Sequence, residues 1–159
     1  MIAYIGLGSN LGDSKNYLQT ALSSLHAQKN VTLRAYSRFY GSKPHGPQNQ
    51  PDYSNAVAKI DCSLSPLALL DTLQAIEQDN DRIRSKQRWS ARTLDLDLLL
   101  YGMETLQTER LTIPHPYIQE RPFVLYPLYD ITPNLHFPNG DKLADYITGN
   151  MPDDLWILE

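Results

Sequence analysis

Residues 93–101 read TLDLDLLLY, which is the clearest strand pattern in this sequence. Side chains alternate between the two faces of a strand, so Asp95 and Asp97 share one face and the leucines point to the other. The buried face is predicted to carry Leu94, Leu96 and Leu98. In such a strand the Cα atoms of the two aspartates lie roughly 6.5–7 Å apart, so two carboxylates stand side by side on a polar face.

The rest of the sequence surrounds this strand with further strand and helix patterns. Strands are predicted over residues 2–7, 31–40, 53–60 and 111–114. Helices are predicted after the glycine-rich turn 6–12, from the start signal Ser65-Pro66, over residues 123–129 and from Asp141. The order β-α-β-β-α-β, with extra helices after it, predicts an α+β fold: a ferredoxin-like antiparallel sheet with helices packed on both faces.

Length and composition restrict the kind of protein this is. The 159 residues are expected to form a single domain over residues 1–159, and the one cysteine excludes an internal disulfide. The start of the chain lacks a basic leader, and no apolar run reaches the roughly 18 residues of a membrane helix. We therefore expect a cytoplasmic protein with no membrane partner.

Charge is distributed unevenly along the chain. Residues 82–92 read RIRSKQRWSAR and carry +5, so the remaining residues carry −9 to give the net charge of −4. An acidic protein with one concentrated basic segment is a poor nucleic-acid binder but suits a small polyanion.

The aspartate pair and the basic segment favour phosphate chemistry. Oxygen-only ligands without histidine or cysteine nearby suit Mg²⁺, and guanidinium groups bind phosphate oxygens in pairs. Asp95 and Asp97 are therefore candidate metal ligands, with a solvated strand face as the alternative. The arginines are candidate phosphate ligands, with a solvated loop paired to Glu77, Asp79 and Asp81 as the alternative.

Other polar and aromatic residues allow two interpretations each. Tyr53 and Asn55 share a strand face and suit a flat heterocycle, or they are a core tyrosine and a turn-capping asparagine. His115 lies between two prolines and either donates to phosphate or fills a turn. Gln74 and Glu77 share the polar face of a helix that is either solvated or directed at the site.

Several short motifs of this chain are similar to the signature of the hydroxymethyl-dihydropterin pyrophosphokinase family. They are GSNL at 8–11, GPQ at 46–48, QPDY at 50–53, RIR at 82–84, RW at 88–89, RTLDLD at 92–97, IPH at 113–115 and FVL at 123–125. The resemblance extends from the first strand to near residue 140. The chain departs from the family pattern at His45, Asp81, Ser90 and Ala91.

The resemblance implies an enzyme that moves the β,γ-diphosphate of ATP onto the hydroxymethyl group of a reduced pterin and releases AMP. It implies two Mg²⁺ ions held by Asp95 and Asp97, with Arg82 and Arg92 most important for the chemistry. It implies further nucleotide contacts from Gln74, Glu77, Arg84, Arg88, Trp89, Arg110, His115 and Arg121. The implied pterin contacts are Ser42, Pro44, His45, Tyr53, Asn55 and Phe123, with the ring sandwiched between Tyr53 and Phe123.

Two other functions fit the fold less well. An RNA-binding module would need a basic surface, which the net negative charge opposes. A metal-dependent phosphodiesterase would need a third metal carboxylate or a histidine cluster, and neither is evident. The expected partners are small molecules, ATP and a reduced pterin, and the expected state is a monomer.

Overall fold

The computed structural model describes residues 1–44, 49–80 and 93–158. The strands are β1 (Ile2–Ser9), β2 (Val31–Tyr36), β3 (Tyr40–Ser42), β4 (Tyr53–Cys62), β5 (Asp95–Tyr101), β6 (Leu106–Gln107), β7 (Thr112–Ile113) and β8 (Leu155–Ile157). The helices are α1 (Ser14–Ala27), α2 (Pro66–Asp79) and α3 (Pro122–Ile131), with 3-10 turns at Ile118–Glu120 and Leu143–Tyr146. Among these residues, no helix is long and apolar enough to span a bilayer.

Six strands form one antiparallel sheet in the order β5-β1-β4-β3-β8, and β2 also pairs with β4. β1 lies between β4 and β5, so its residues have a partner on each side. Gly6 is opposite Val57 on β4 and Asp97 on β5. Gly8 is opposite Asn55 and Asp95 in the same way. This register brings the aspartate pair and Asn55 to the same end of the sheet.

Helices cover both faces of the sheet, as the sequence predicts. α1 and α2 pack on one face through leucines such as Leu18 and Leu73, and α3 packs on the other through Leu125 and Leu128. The predicted helix start at Ser65 is confirmed, because its hydroxyl accepts a hydrogen bond from the backbone N–H of Ala68 at 3.3 Å. The α+β fold with helices on both faces is therefore confirmed.

A bulge in β5 separates the polar end of this strand from its apolar end. Tyr4 pairs with Leu100, but the next residue of β1, Ile5, pairs with Leu98. Leu98 therefore contributes to the core under α1 and α2, whereas Leu99 and Leu100 both face α3. The predicted burial of the leucines at 94, 96 and 98 is confirmed. Asp95 and Asp97 consequently point to the α3 side.

The strand predicted over residues 31–40 is wrong in one respect, because it is broken after Tyr36. Ser37 leaves the regular ladder, and its hydroxyl accepts a hydrogen bond from the backbone N–H of Val57 at 2.9 Å. The backbone N–H of Arg38 donates to Asp130 of α3 at 3.3 Å. These partners are far away in sequence, so the local alternation of residues 31–40 could not indicate the break.

Two predictions near the end of the chain also differ from the structure. The helix predicted from Asp141 is a short 3-10 turn that begins at Leu143. β8 was not predicted, and it pairs with β3 so that Trp156 lies opposite Gly41. A three-residue strand has too few residues for a recognisable alternation.

Candidate active site

A cleft of about 350 Å³ opens on the α3 side of the sheet, beside the N-terminal end of β5. It brings together most of the predicted site residues that the structure describes, namely Ser42, Tyr53, Asn55, Gln74, Glu77, Asp95, Asp97, His115, Arg121 and Phe123. Pro44 and Arg110 do not line it. The predicted residues His45, Arg82, Arg84, Arg88, Trp89 and Arg92 lie outside the described residues.

Two glycines of β1 also line this cleft. The strand predicted over residues 2–7 is confirmed at Gly6, whereas the assignment of Gly8 to a tight turn is wrong. β1 continues to Ser9, so Gly6 and Gly8 are strand residues on the cleft side. A Cβ atom at Gly8 would lie 3.6 Å from the side-chain oxygen of Asn55. The absence of side chains here keeps the cleft open between Asn55 and the aspartates. Glycine at every second position of a strand is the signal that could have revealed this surface.

Asp97 lies next to a cation that also contacts aromatic rings. The Arg121 guanidinium is 3.8 Å from the Asp97 carboxylate. Its central carbon lies 5.3 Å from the ring centre of Tyr117 and 5.7 Å from that of Phe123. Arg121 thus connects the carboxylate end of the cleft to its aromatic end.

The donor set at Asp95 and Asp97 fits Mg²⁺. Among the described residues, no group of three or more His, Cys, Asp or Glu side chains could enclose a metal ion. Mg²⁺ is commonly held by one or two carboxylates, with substrate phosphates and water as the other ligands. Two strand-borne carboxylates that open onto a cleft match that requirement better than they match a closed structural metal site.

Glu77 is not on a solvated helix face, which was one of the two interpretations of its sequence position. Its side chain is buried, and its carboxylate accepts a hydrogen bond from the backbone N–H of Leu96 at 2.8 Å. Leu96 lies between the two aspartates, so this bond fastens α2 to the strand segment that carries them. The solvated alternative is therefore wrong for Glu77.

Gln74, about one turn before Glu77 on α2, is joined to Arg110. Arg110 donates to the side-chain oxygen of Gln74 at 3.3 Å and to Asp71 at 2.6 Å. Gln74 lines the cleft, whereas Arg110 is half-exposed beyond it. The predicted contact between Arg110 and the nucleotide stays a prediction.

His115 is hydrogen-bonded through its backbone to the outer edge of β5. Its backbone N–H donates to the carbonyl of Leu99 at 2.9 Å, and its Nδ1 accepts from the backbone N–H of Tyr117 at 3.3 Å. Burial, and then the charge of Arg121, lower the pKa of His115 to about 4, although Asp95 opposes the shift. The ring is therefore neutral near pH 7, and with Nδ1 accepting, Nε2 carries the hydrogen.

The other end of the cleft has an amide beside aromatic rings. Asn55 is buried, and its side-chain N–H donates to the Ser42 hydroxyl at 2.8 Å. Tyr53 lies on the same strand and Phe123 at the start of α3, and both line the cleft. This arrangement can hold a flat heterocycle by stacking and by a hydrogen bond to its edge.

Comparison with known proteins identifies the family. The chain is 52% identical over 145 residues to 2-amino-4-hydroxy-6-hydroxymethyldihydropteridine pyrophosphokinase of Haemophilus influenzae, across 91% of this chain and 90% of that protein. It is 46% identical over 144 residues to the protein of the same name from Pseudomonas aeruginosa, across 91% of this chain and 88% of the relative.

A solved structure described as HPPK-DHPS in complex with substrates has the same fold. It matches with a TM-score of 0.75 and 13% identity, across 97% of this chain and 46% of that longer chain. The profile of one family, described as 7,8-dihydro-6-hydroxymethylpterin-pyrophosphokinase (HPPK), matches residues 4–133. Because this match spans most of the chain and the relatives are about half identical to it, the chain belongs to the 7,8-dihydro-6-hydroxymethylpterin-pyrophosphokinase family.

Proposed function

We propose that this chain transfers the β,γ-diphosphate of ATP to the hydroxymethyl group of 6-hydroxymethyl-7,8-dihydropterin, for tetrahydrofolate biosynthesis. The proposal depends on one observation, which is that two chemically different sets of side chains line the same cleft. Carboxylates, a guanidinium and a neutral imidazole occupy one end, which suits a metal-bound polyphosphate. Aromatic rings and a buried amide occupy the other, which suits a pterin.

At the polyphosphate end, Asp95 and Asp97 are the proposed ligands of two Mg²⁺ ions. When bound, Mg²⁺ neutralises phosphate charge and aligns the reacting oxygens. Arg121 is proposed to release Asp97 and turn towards a phosphate, because their contact of 3.8 Å is long for a salt bridge. His115 is proposed to donate from Nε2 to a phosphate oxygen.

Further nucleotide contacts are proposed from the family resemblance. Gln74 and Glu77 lie on the side of the cleft formed by α2. Arg82, Arg84, Arg88, Trp89, Arg92 and Arg110 complete the proposed set. Arg82 and Arg92 are proposed to stabilise the charge that develops at the α–β bridge, since such contacts act mainly in the transition state.

At the pterin end, we propose that the rings of Tyr53 and Phe123 stack on opposite faces of the pterin. Asn55 is proposed to form a hydrogen bond to the edge of the pterin ring. The bond from Asn55 to the Ser42 hydroxyl fixes the orientation of the amide, so its oxygen is the group presented to a ligand donor. Further pterin contacts are proposed from Ser42, the last residue of β3, and from Pro44 and His45.

The proposed reaction is an in-line displacement at the β-phosphorus. The hydroxymethyl oxygen forms a bond to the β-phosphorus as the bond from that phosphorus to the α–β bridging oxygen breaks. AMP leaves with the bridging oxygen and its electron pair, and the hydroxyl proton passes to solvent water. We also propose that residues 1–159 work as one domain and as a monomer in the cytoplasm, with no nucleic-acid or membrane partner.

The test is to incubate the protein with Mg²⁺, reduced pterin alcohol and ATP labelled at the γ-phosphate. Chromatography should show AMP and labelled pterin diphosphate in equal amounts. Release of ADP would instead indicate an ordinary kinase, which breaks the β–γ bond. AMP that forms equally fast without pterin would indicate a hydrolase.

A further inference from the structure

A cluster of three side chains joins the end of α3 to the sheet, behind the cleft. The Arg38 guanidinium donates to both carboxylate oxygens of Asp130, at 2.8 Å and 3.1 Å. The Tyr40 hydroxyl lies 2.9 Å from each of the same two oxygens and accepts from Arg38 at 3.1 Å. The three side chains therefore form a closed polar network, here called the α3 clamp.

Two members of the α3 clamp are shielded from solvent, whereas the Arg38 side chain is 58% exposed. Tyr40 is buried, with 1% of its surface exposed, and the Asp130 side chain is 14% exposed. Burial, followed by the bond to Asp130, raises the pKa of Tyr40 to about 12. The phenol therefore remains protonated throughout the physiological range and keeps donating to the carboxylate.

The clamp connects the two elements that carry the walls of the pterin end. Ser42 follows Tyr40 by two residues on β3, so both side chains point to the α3 face, where Ser42 contacts Asn55. Phe123 precedes Asp130 by seven residues on α3, which is roughly 10 Å along the helix. A shift of α3 at Asp130 would therefore move Phe123 relative to Asn55.

Directional bonds matter here because, among the described residues, α3 packs on the sheet mainly through apolar side chains. Val124, Leu125 and Leu128 pack into the core on this face of the sheet. Apolar packing determines how deeply the helix is buried, but it is non-directional and resists sliding less well than hydrogen bonds of fixed geometry. The clamp supplies that geometry at the end of α3 opposite Phe123.

We infer that Arg38, Tyr40 and Asp130 are positioning residues for the pterin, which set the separation between Phe123 and the Asn55–Ser42 pair. This inference rests on the proposed function, since it takes the pterin to bind between Phe123 and β4. None of the three clamp residues lines the cleft. The effect of the clamp is larger on the affinity for pterin than on the affinity for nucleotide. The aspartates lie on β5, which β1 and β4 separate from β3, and only Arg121, at the start of α3, would move with the helix.

The first experiment compares Asp130→Asn and Tyr40→Phe with the parent protein. Pterin affinity is measured by calorimetry with Mg²⁺ and a saturating ATP analogue whose α–β bridge is a methylene group. Analogue affinity is measured without pterin. Each variant should bind pterin about five- to tenfold more weakly, within the usual range for residues coupled through a shared network or backbone shift. Affinity for the analogue should fall by a clearly smaller factor.

Asp61→Asn is the matched control. Asp61 accepts a bond from Arg34 at 3.3 Å on the same sheet, but away from the cleft. The Asp61→Asn variant should leave the affinities for pterin and for the ATP analogue unchanged. Thermal unfolding is recorded for every variant, and Tyr40→Phe keeps the ring that fills the core should Asp130→Asn fail to fold. Pterin affinity within twofold of the parent in the folded clamp variants would overturn the inference, as would equal losses for both ligands.

A second experiment combines Asp130→Asn with Phe123→Ala. If the clamp acts through Phe123, Asp130→Asn should weaken pterin binding less than twofold once the ring is absent. A full five- to tenfold effect in that background would overturn the inference and leave the proposed pterin site standing. Unchanged pterin binding in Phe123→Ala by itself would instead remove the proposed sandwich, and the inference with it.

Discussion

At the scale of single residues, the cleft depends on two carboxylates that the fold holds together. Asp95 and Asp97 would repel each other in isolation, and the structure places Arg121 within 3.8 Å of one of them. Their neighbours Leu94, Leu96 and Leu98 are buried in the core. The strand therefore stays in place whether or not the aspartates are present, which makes them suitable for functional tests.

Asp97→Ala should abolish most transferase activity and leave the fold intact. We expect a loss of about 10²-fold or more, comparable to the removal of one charge-stabilising group from an active site. AMP formation measures the activity, and circular dichroism with thermal unfolding measures the fold. Asp61→Asn, on β4 and away from the cleft, is the control. Activity within a few-fold of the parent would end the assignment of Asp97 as a metal ligand.

His115 should make stability depend on pH in the ligand-free protein. Its pKa is about 4 in the folded state, against about 6.5 in an unfolded chain. Between these values the unfolded chain binds a proton that the folded protein does not, so the free energy of unfolding falls as pH decreases.

The measurement is urea unfolding at pH 7, 6 and 5 for the parent and for His115→Asn, whose amide oxygen can still accept from Tyr117. The parent should lose more stability than the variant on acidification. The window ends at pH 5 because carboxylates titrate below it. Parallel pH profiles would show that His115 is not held neutral by its surroundings.

At the scale of elements, β3 is a strand of three residues stabilised by its neighbours on both sides. It pairs with β4 and with β8. The indole of Trp156 on β8 lies directly against Gly41, so that a Cβ atom there would overlap the ring. The ammonium group of Lys43 lies 5.8 Å from the centre of the same ring. The end of the chain thus supports the strand that carries Ser42.

Gly41→Ala should lower the free energy of unfolding by about 1–3 kcal/mol, the usual effect of an added methyl group in a tightly packed site. The physical reason is the overlap with Trp156, so the double variant Gly41→Ala, Trp156→Ala should lose less than the sum of the two single variants. Urea unfolding measures all three. Strict additivity would mean that Trp156 does not restrict the residue at position 41.

At the scale of the whole molecule, nucleotide and metal should stabilise the folded protein together. A non-hydrolysable ATP analogue at 100 times its Kd, with Mg²⁺, should add about 2.7 kcal/mol to the free energy of unfolding. For a chain of this size this corresponds to a rise in Tm of roughly 5–10 °C.

Differential scanning fluorimetry with and without EDTA gives the metal-dependent part of that rise. EDTA should remove most of it in the parent protein. Asp97→Ala should show a small rise that EDTA hardly changes. A rise in the parent that is insensitive to EDTA would argue against metal-assisted nucleotide binding, even if the transferase activity were confirmed.

Much of the fold and of the candidate site could be predicted from local sequence patterns. The alternation around Asp95 correctly predicted a strand with one buried face, and the Ser65-Pro66 signal correctly predicted the start of α2. The motifs led to the right family, and the enzyme class is confirmed with it. Patterns of this kind depend only on residues that are near in sequence, so they can be recognised without tertiary structure.

The sequence by itself determined which chemistry is present: two carboxylates with strand spacing, a basic segment, aromatic rings and one amide. The tertiary structure decided the break after Tyr36, the burial of Glu77 and the use of Gly6 in the cleft. It also decided that Asp130, 92 residues away, bonds to Arg38. Each of these depends on a partner that is distant in the chain, because backbone and side-chain groups bond to whatever the packing of the sheet and helices brings within reach.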